Sequence, residues 1–200
     1  MRSPFDLMRE WVDQECKLGS QSPNRAILST IANENEKMQP HSRVVALREF
    51  DDRGFLFFTS KKTRKYTELV SNPQASMVIW LELQQRQVVI EGNIQLLNNE
   101  ENHSYWQALP KHNQLKFTAY GPHTNNEITS TSQLDVVYQE LSKQYQDQEN
   151  LPLSEYYKGS RLIPNRLMFY TLESESFSEF VEYIPGENEE GWQSRLLGPC

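Results

Sequence analysis

Four of the six residues in Ser60-Lys61-Lys62-Thr63-Arg64-Lys65 are cations, in a chain whose formal net charge is −7. Thr59 and Ser60 close a run of strand formers, Thr63 carries a hydroxyl, and Arg64 and Lys65 open a segment with helical spacing. The first N–H groups of a helix lack partners and its N-terminal end is partially positive, so amides, hydroxyls and cations converge on one corner. That is phosphate-binding chemistry. The plainer reading is a solvated basic face, with cations that oppose the dipole of the helix they begin.

Arg43 stands in SRVVALREF (42–50), where its aliphatic neighbours imply packing and a guanidinium needs an anionic or bidentate partner. Strand alternation aims Arg48 at the opposite face, where a surface arginine at a strand end is the simpler alternative. In RQVVIEG (86–92), the Gln87 amide can donate and accept at the edge of a heterocycle, or merely satisfy neighbouring backbone. His41, His103, His112 and His123 have no cysteine or carboxylate at metal-ligand spacing, and no GxSxG, phosphate loop or GxGxxG occurs. A metal, nucleophilic or Rossmann enzyme is therefore not expected, and any redox reactivity must come from a cofactor.

The elements that position these groups follow from patterning. Two hundred residues suit one domain, and 37% hydrophobic content with four tryptophans suits a folded core. A sequence pI near 5.2 argues against nucleic acid as a partner. The N-terminal stretch mixes acids with apolar residues and reads as neither signal peptide nor membrane span, which makes the cytoplasm the expected location. Cys16 and Cys200 are read as free thiols.

Phe5, Met8, Trp11, Val12 and Cys16 predict an amphipathic helix over about 4–18. Strands are expected at 25–32, 42–50, 54–60, 75–83 and 86–97, read as a meander, with DDRG (51–54) as a tight hairpin and a short helix before Pro73. A helical insertion over about 99–148 follows, with helices around 99–109 and 131–148, the latter presenting Leu134, Val137, Tyr138 and Leu141 on one face. Between them 121–132 is read as a polar, mobile loop. Strands return at 165–174, 176–184 and 191–198, and alternation in SFSEFVEYI predicts one face in the core and one in water. The fold class is α+β, mainly β: a small antiparallel barrel with peripheral helices.

In order and spacing, the first helix, RVVALR (43–48), FFTSKKTRK (57–65), the NP of SNPQA, the RQV of QQRQVVIEG, LPLSEYY (151–157) and the closing WQSRLLGP (192–199) resemble the pyridoxamine 5′-phosphate oxidase family across nearly the whole chain. The resemblance implies a split β-barrel that binds FMN, as a homodimer with flavin at the subunit interface. It makes Arg43, Arg64 and Lys65 ligands of the FMN phosphate and ribityl chain, with Thr59 and Thr63 adding hydroxyl bonds. Val44, Val45 and Phe58 then line the cofactor, Gln87 touches the ring edge, and Tyr170 occupies the place of a family tryptophan.

Arg48 and Tyr105 fall at substrate positions, where Arg48 replaces a lysine. Family cations and a serine that hold a substrate phosphate are replaced by Leu109 and Asn113, and R-x-H-x-R reads here as Ser176, Phe177, Ser178, Glu179 and Phe180. The implied activity is oxidation of a CH–NH2 or CH–OH small-molecule donor, of the pyridoxamine or pyridoxine 5′-phosphate type, with oxygen as acceptor. A different heterocycle, such as a phenazine precursor, and a flavin-binding protein without turnover are the alternatives; a dimer without cofactor is the third.

Overall fold

The computed structural model describes residues 3–34, 36–172, 177–186 and 191–198. Among the described residues five α-helices, α1 (Pro4–Lys17), α2 (Arg64–Ser71), α3 (Asn99–Gln107), α4 (Lys111–Tyr120) and α5 (Ser132–Gln144), accompany eight strands. These are β1 (Arg25–Glu34), β2 (Lys37–Asp51), β3 (Gly54–Ser60), β4 (Gln74–Leu81), β5 (Arg86–Leu96), β6 (Tyr157–Thr171), β7 (Glu179–Pro185) and β8 (Trp192–Leu197). The sheet order is β3-β2-β1-β4-β5-β6-β7-β8, and an additional β3–β6 pairing closes six strands into a ring, with β7 and β8 continuing from β6. The mainly-β antiparallel class expected from the sequence is therefore present. A simple meander is not: β4 pairs with β1 rather than with the preceding β3.

The chain divides into two compact units: residues 1–57, 72–95 and 161–200, and residues 58–71 and 96–160. In the first unit, alternate residues of the strands point inward, Ala26 and Leu28 from β1, Val45 and Leu47 from β2, Met77 and Ile79 from β4, Val88 and Ile90 from β5. Helix α1 begins at Ser3, whose hydroxyl accepts from the Phe5 N–H, and Pro4 supplies the preset φ of a first helical residue. Its Phe5 and Trp11 rings meet Phe55 and Phe169 at 5.8 and 5.1 Å. Cys16 does not join this buried stripe; Glu15 does, because its carboxylate accepts from the Leu83 N–H and the Gln84 amide. The tight β2–β3 hairpin is as expected: Asp51 pairs with Gly54, whose φ of +118° and close approach to the Leu162 carbonyl both demand glycine.

Strand β7 departs from the expected alternation. Glu182 is fully buried beside buried Tyr183, since Arg166 on β6 and Arg195 on β8 both pair with its carboxylate. Trp192 of β8 packs edge-on against Phe5.

The second unit holds a separate aromatic core of Trp106, Leu115, Phe117, Leu151 and Tyr157, with Phe58 stacked on Tyr157 at 4.5 Å. An Asn98–Glu101 capping box starts α3. Helix α4 was not expected from the sequence, because its inward face includes Gln114. That residue is buried because its amide donates to the Trp106 and Leu109 carbonyls and accepts from the Leu151 N–H. Leu134, Val137, Tyr138 and Leu141 of α5 are half-buried together, as their spacing predicts. No helix among the described residues is long and apolar enough to cross a membrane.

Candidate functional site

The corner between β3 and α2 lies in the second unit and contains most of the cation run. Thr63 precedes α2, and its carbonyl accepts from the Tyr66 and Thr67 N–H groups. The Thr63 hydroxyl donates to the Ser60 carbonyl at 2.8 Å. Its one proton being committed there, the Thr59 hydroxyl 3.0 Å away must donate to it, and the Lys65 ammonium donates to Thr59 at 3.1 Å. Lys65, Thr59, Thr63 and Ser60 thus form one polarised chain, with an ammonium at its head and Thr59 buried.

The other three cations are occupied elsewhere. Arg64 runs along α2 to the buried carboxylate of Glu68, 3.3 Å from its Nε. Lys61 pairs with Glu155, and its backbone N–H donates to the Tyr156 carbonyl at 2.8 Å. Glu155 holds the Lys61 pKa above its usual value, and Lys61 in turn lowers that of Glu155. Lys62 donates to the Pro122 carbonyl at 2.8 Å. Phe58 is half-buried, and the Tyr105 ring lies 5.2 Å from it. Leu109 packs against the aromatic core, and Asn113 is exposed.

Strand positions in the first unit hold the rest. Arg43 shares the inward side with Val45 and Leu47, and its guanidinium donates to the Thr30 hydroxyl and, at 3.4 Å, to the Leu28 carbonyl. Val44 points outward and is 65% exposed, opposite Ile27 in register; Ile27 in turn lies opposite Val78. Arg48 is exposed where the β2–β3 register shifts between Leu47 and Glu49, so Arg43 and Arg48 do face opposite ways. Gln87 lies opposite the exposed Trp80. Tyr170 is half-buried on the neighbouring β6, where the Leu172 N–H donates to the Gln85 carbonyl at 3.0 Å, and its ring meets Phe180. Phe177 and Ser178 are described, Phe177 being 89% exposed; Ser176 lies outside the described residues.

Sequence reading did not single out Thr30, Trp80, Tyr156 or Asn125. Thr30 and Trp80 had a usable signal, since alternation places a hydroxyl inward and an indole outward. Tyr156 and Asn125 had none, because their partners are distant in sequence. Among the described residues no group of three or more His, Cys, Asp or Glu side chains is placed to hold a metal.

The donor set at the β3–α2 corner, an ammonium ordered by two hydroxyls at the start of a helix, fits a phosphate ester. A family model described as pyridoxamine 5′-phosphate oxidase matches residues 12–147. The pyridoxine/pyridoxamine 5′-phosphate oxidase of Trichormus variabilis is 32% identical over 197 residues, covering 98% of this chain and 89% of that protein. The pyridoxine-5′-phosphate oxidase of Dictyostelium discoideum is 30% identical over 203 residues, covering 100% and 86%.

Among solved structures, PhzG of Burkholderia lata in complex with tetrahydrophenazine-1-carboxylic acid has a TM-score of 0.82 at 24% identity, covering 98% of this chain and 93% of that one. A pyridoxamine 5′-phosphate oxidase-related, FMN-binding protein of Nostoc punctiforme has a TM-score of 0.77 at 16% identity, with full coverage of both chains. These two likenesses bear on the fold.

Proposed function

This chain belongs to the pyridoxamine 5′-phosphate oxidase family, and from that premise we propose that it is an FMN-dependent oxidase acting on a carbon that bears an amine or alcohol. When bound, FMN would supply the hydride-accepting chemistry, with oxygen as the final acceptor. The observation that supports the reading is the hydroxyl chain headed by Lys65, which fixes an ammonium beside the start of α2. Lys65, ordered by Thr59 and Thr63, holds the phosphate in this reading, with Arg43 and Arg64 adding charge. Val44, Val45, Phe58, Gln87 and Tyr170 are assigned to the flavin, and Arg48 and Tyr105 to the substrate. The residues of the site bind and orient; none is asked to serve as an acid–base pair.

Pyridoxamine or pyridoxine 5′-phosphate is the first substrate reading, supported by the names of the relatives. A less anionic heterocycle is the second, favoured by half-buried Leu109 and exposed Asn113, neither of which brings a cation. Each missing charge-assisted bond removes about 1.5–3 kcal/mol of affinity for a substrate phosphate. The protein is further proposed to be a homodimer, supported by the outward apolar surface of Val44, Ile27 and Trp80.

The test is the visible spectrum of the purified protein, followed by anaerobic addition of pyridoxamine 5′-phosphate. A yellow protein that bleaches supports the first substrate. A yellow protein that does not bleach supports the second or a loss of turnover, and a colourless protein that takes up no added FMN overturns the reading.

A further inference from the structure

Lys62 and the 121–126 turn exchange hydrogen bonds. The Lys62 ammonium donates to the Pro122 carbonyl at 2.8 Å, and the Asn125 amide donates to the Lys62 carbonyl at 2.7 Å. Asn125 holds a left-handed φ of +61°, a conformation asparagine tolerates better than most side chains and one that lets a single turn present both partners. Tyr156 backs this connection. Its ring lies under the Lys61 and Lys62 ammoniums at 4.9 and 5.5 Å, and a Cβ on Gly121 would come within 3.2–3.3 Å of its side chain. Residues 60–62, the turn 121–125 and residues 155–156 are thereby tied together from three stretches of the second unit.

We propose that Lys62 is a positioning residue: with Asn125 it straps the 121–126 turn to the phosphate corner, so that order in the turn and FMN affinity at the corner rise and fall together. The inference rests on the corner being the FMN phosphate site. Lys62 is three residues from Thr59 and one from Thr63, whose hydroxyls the corner orders, and three from Lys65. Loss of its tether frees the backbone of 60–63, on which the Thr59–Thr63–Ser60 chain depends. Lys62 itself contributes no ligand, since its ammonium is spent on Pro122 and the Tyr156 ring.

The test uses full-length Lys62→Met, Asn125→Ala, the double variant, Lys62→Arg and Lys65→Ala. Two measurements are made: cleavage after exposed Glu127 by a glutamyl endopeptidase on the apoprotein, and FMN affinity by quenching of flavin fluorescence. Lys62→Met and Asn125→Ala are each expected to speed cleavage about tenfold and weaken FMN about tenfold, the double variant to add little, and Lys62→Arg to stay near wild type. Unchanged cleavage in Lys62→Met overturns the strap. Faster cleavage with unchanged FMN affinity, while Lys65→Ala loses FMN, overturns the coupling but leaves the site reading standing. If Lys65→Ala also keeps its FMN affinity, the site reading fails and the inference fails with it.

Discussion

At the scale of single residues, the four cations of 60–65 divide by partner rather than by position. Lys65 heads a hydroxyl chain, Arg64 neutralises a buried glutamate, and Lys61 and Lys62 hold neighbouring chain segments. Lys65→Ala is expected to weaken FMN binding by about ten- to a hundredfold, the worth of one charge-assisted bond at about 1.5–3 kcal/mol, read by fluorescence titration. Lys61→Ala, whose side chain pairs outside that hydroxyl chain, is expected to change FMN affinity less than Lys65→Ala does. Equal losses would show that general charge, not the ordered chain, carries the binding. Leu109→Arg returns a cation to the face of the aromatic core, and is expected to lower the KM for pyridoxamine 5′-phosphate without a matching change for the unphosphorylated amine.

Between elements, the strands outside the closed ring are held by a ladder of charges. Glu91 on β5 meets Arg166 on β6 at 3.4 Å, Arg166 meets Glu182 on β7 at 2.6 Å, and Glu182 also binds Arg195 on β8. This gives the WQSRLLG segment (192–198) a physical role: Trp192 packs on Phe5 and Arg195 makes the last rung. Glu182→Ala removes the shared partner of two partly exposed arginines and is expected to cost about 1–2 kcal/mol in urea unfolding.

Hydrogen bonding first from Arg195 and then from Arg166 holds the Glu182 pKa below its ordinary value, against the opposing effect of burial. A carboxylate lowered in the folded state stabilises the protein above its unfolded pKa, and the contribution is lost as pH falls through the folded pKa. Wild type is therefore expected to lose stability between about pH 4.5 and lower values. Glu182→Gln, which has no charge to lose, should show a shallower decline over that window. Gly92 on β5 sets a second constraint, because a Cβ there would lie 2.0 Å from the Ile163 carbonyl oxygen on β6. Gly92→Ala is expected to cost about 2–3 kcal/mol by forcing the two strands apart, measurable as a lowered urea midpoint.

For the whole molecule, the outward faces of β1, β2 and β4 expose Ile27 at 44%, Val44 at 65% and Trp80 at 45%, on strands whose other face is core. Large apolar side chains gathered on one wall mark a surface that a second copy can cover. Wild type is expected to sediment as a dimer at micromolar concentration and Ile27→Asp as a monomer with an unchanged circular dichroism spectrum. A dimer that persists in Ile27→Asp would assign the interface to another face.

Local pattern was enough for much of this protein. Runs of strand-forming residues located most of the strands, though β6 begins eight residues before the expected 165, Asp and Gly located the 51–54 hairpin, and the basic corner before α2 marked where hydroxyls and a helix start would meet. Those signals arise between residues a few positions apart, where backbone geometry alone sets the spacing. Pairing β4 with β1 rather than β3, burying Glu15, Gln114 and Glu182, and dividing the four cations among their partners required the tertiary structure. A buried polar group is stable only when a distant donor or acceptor arrives to satisfy it, and Lys62 finds Pro122 sixty residues away. The chain's own alphabet specifies which groups need partners, and only the folded backbone decides which partners they receive.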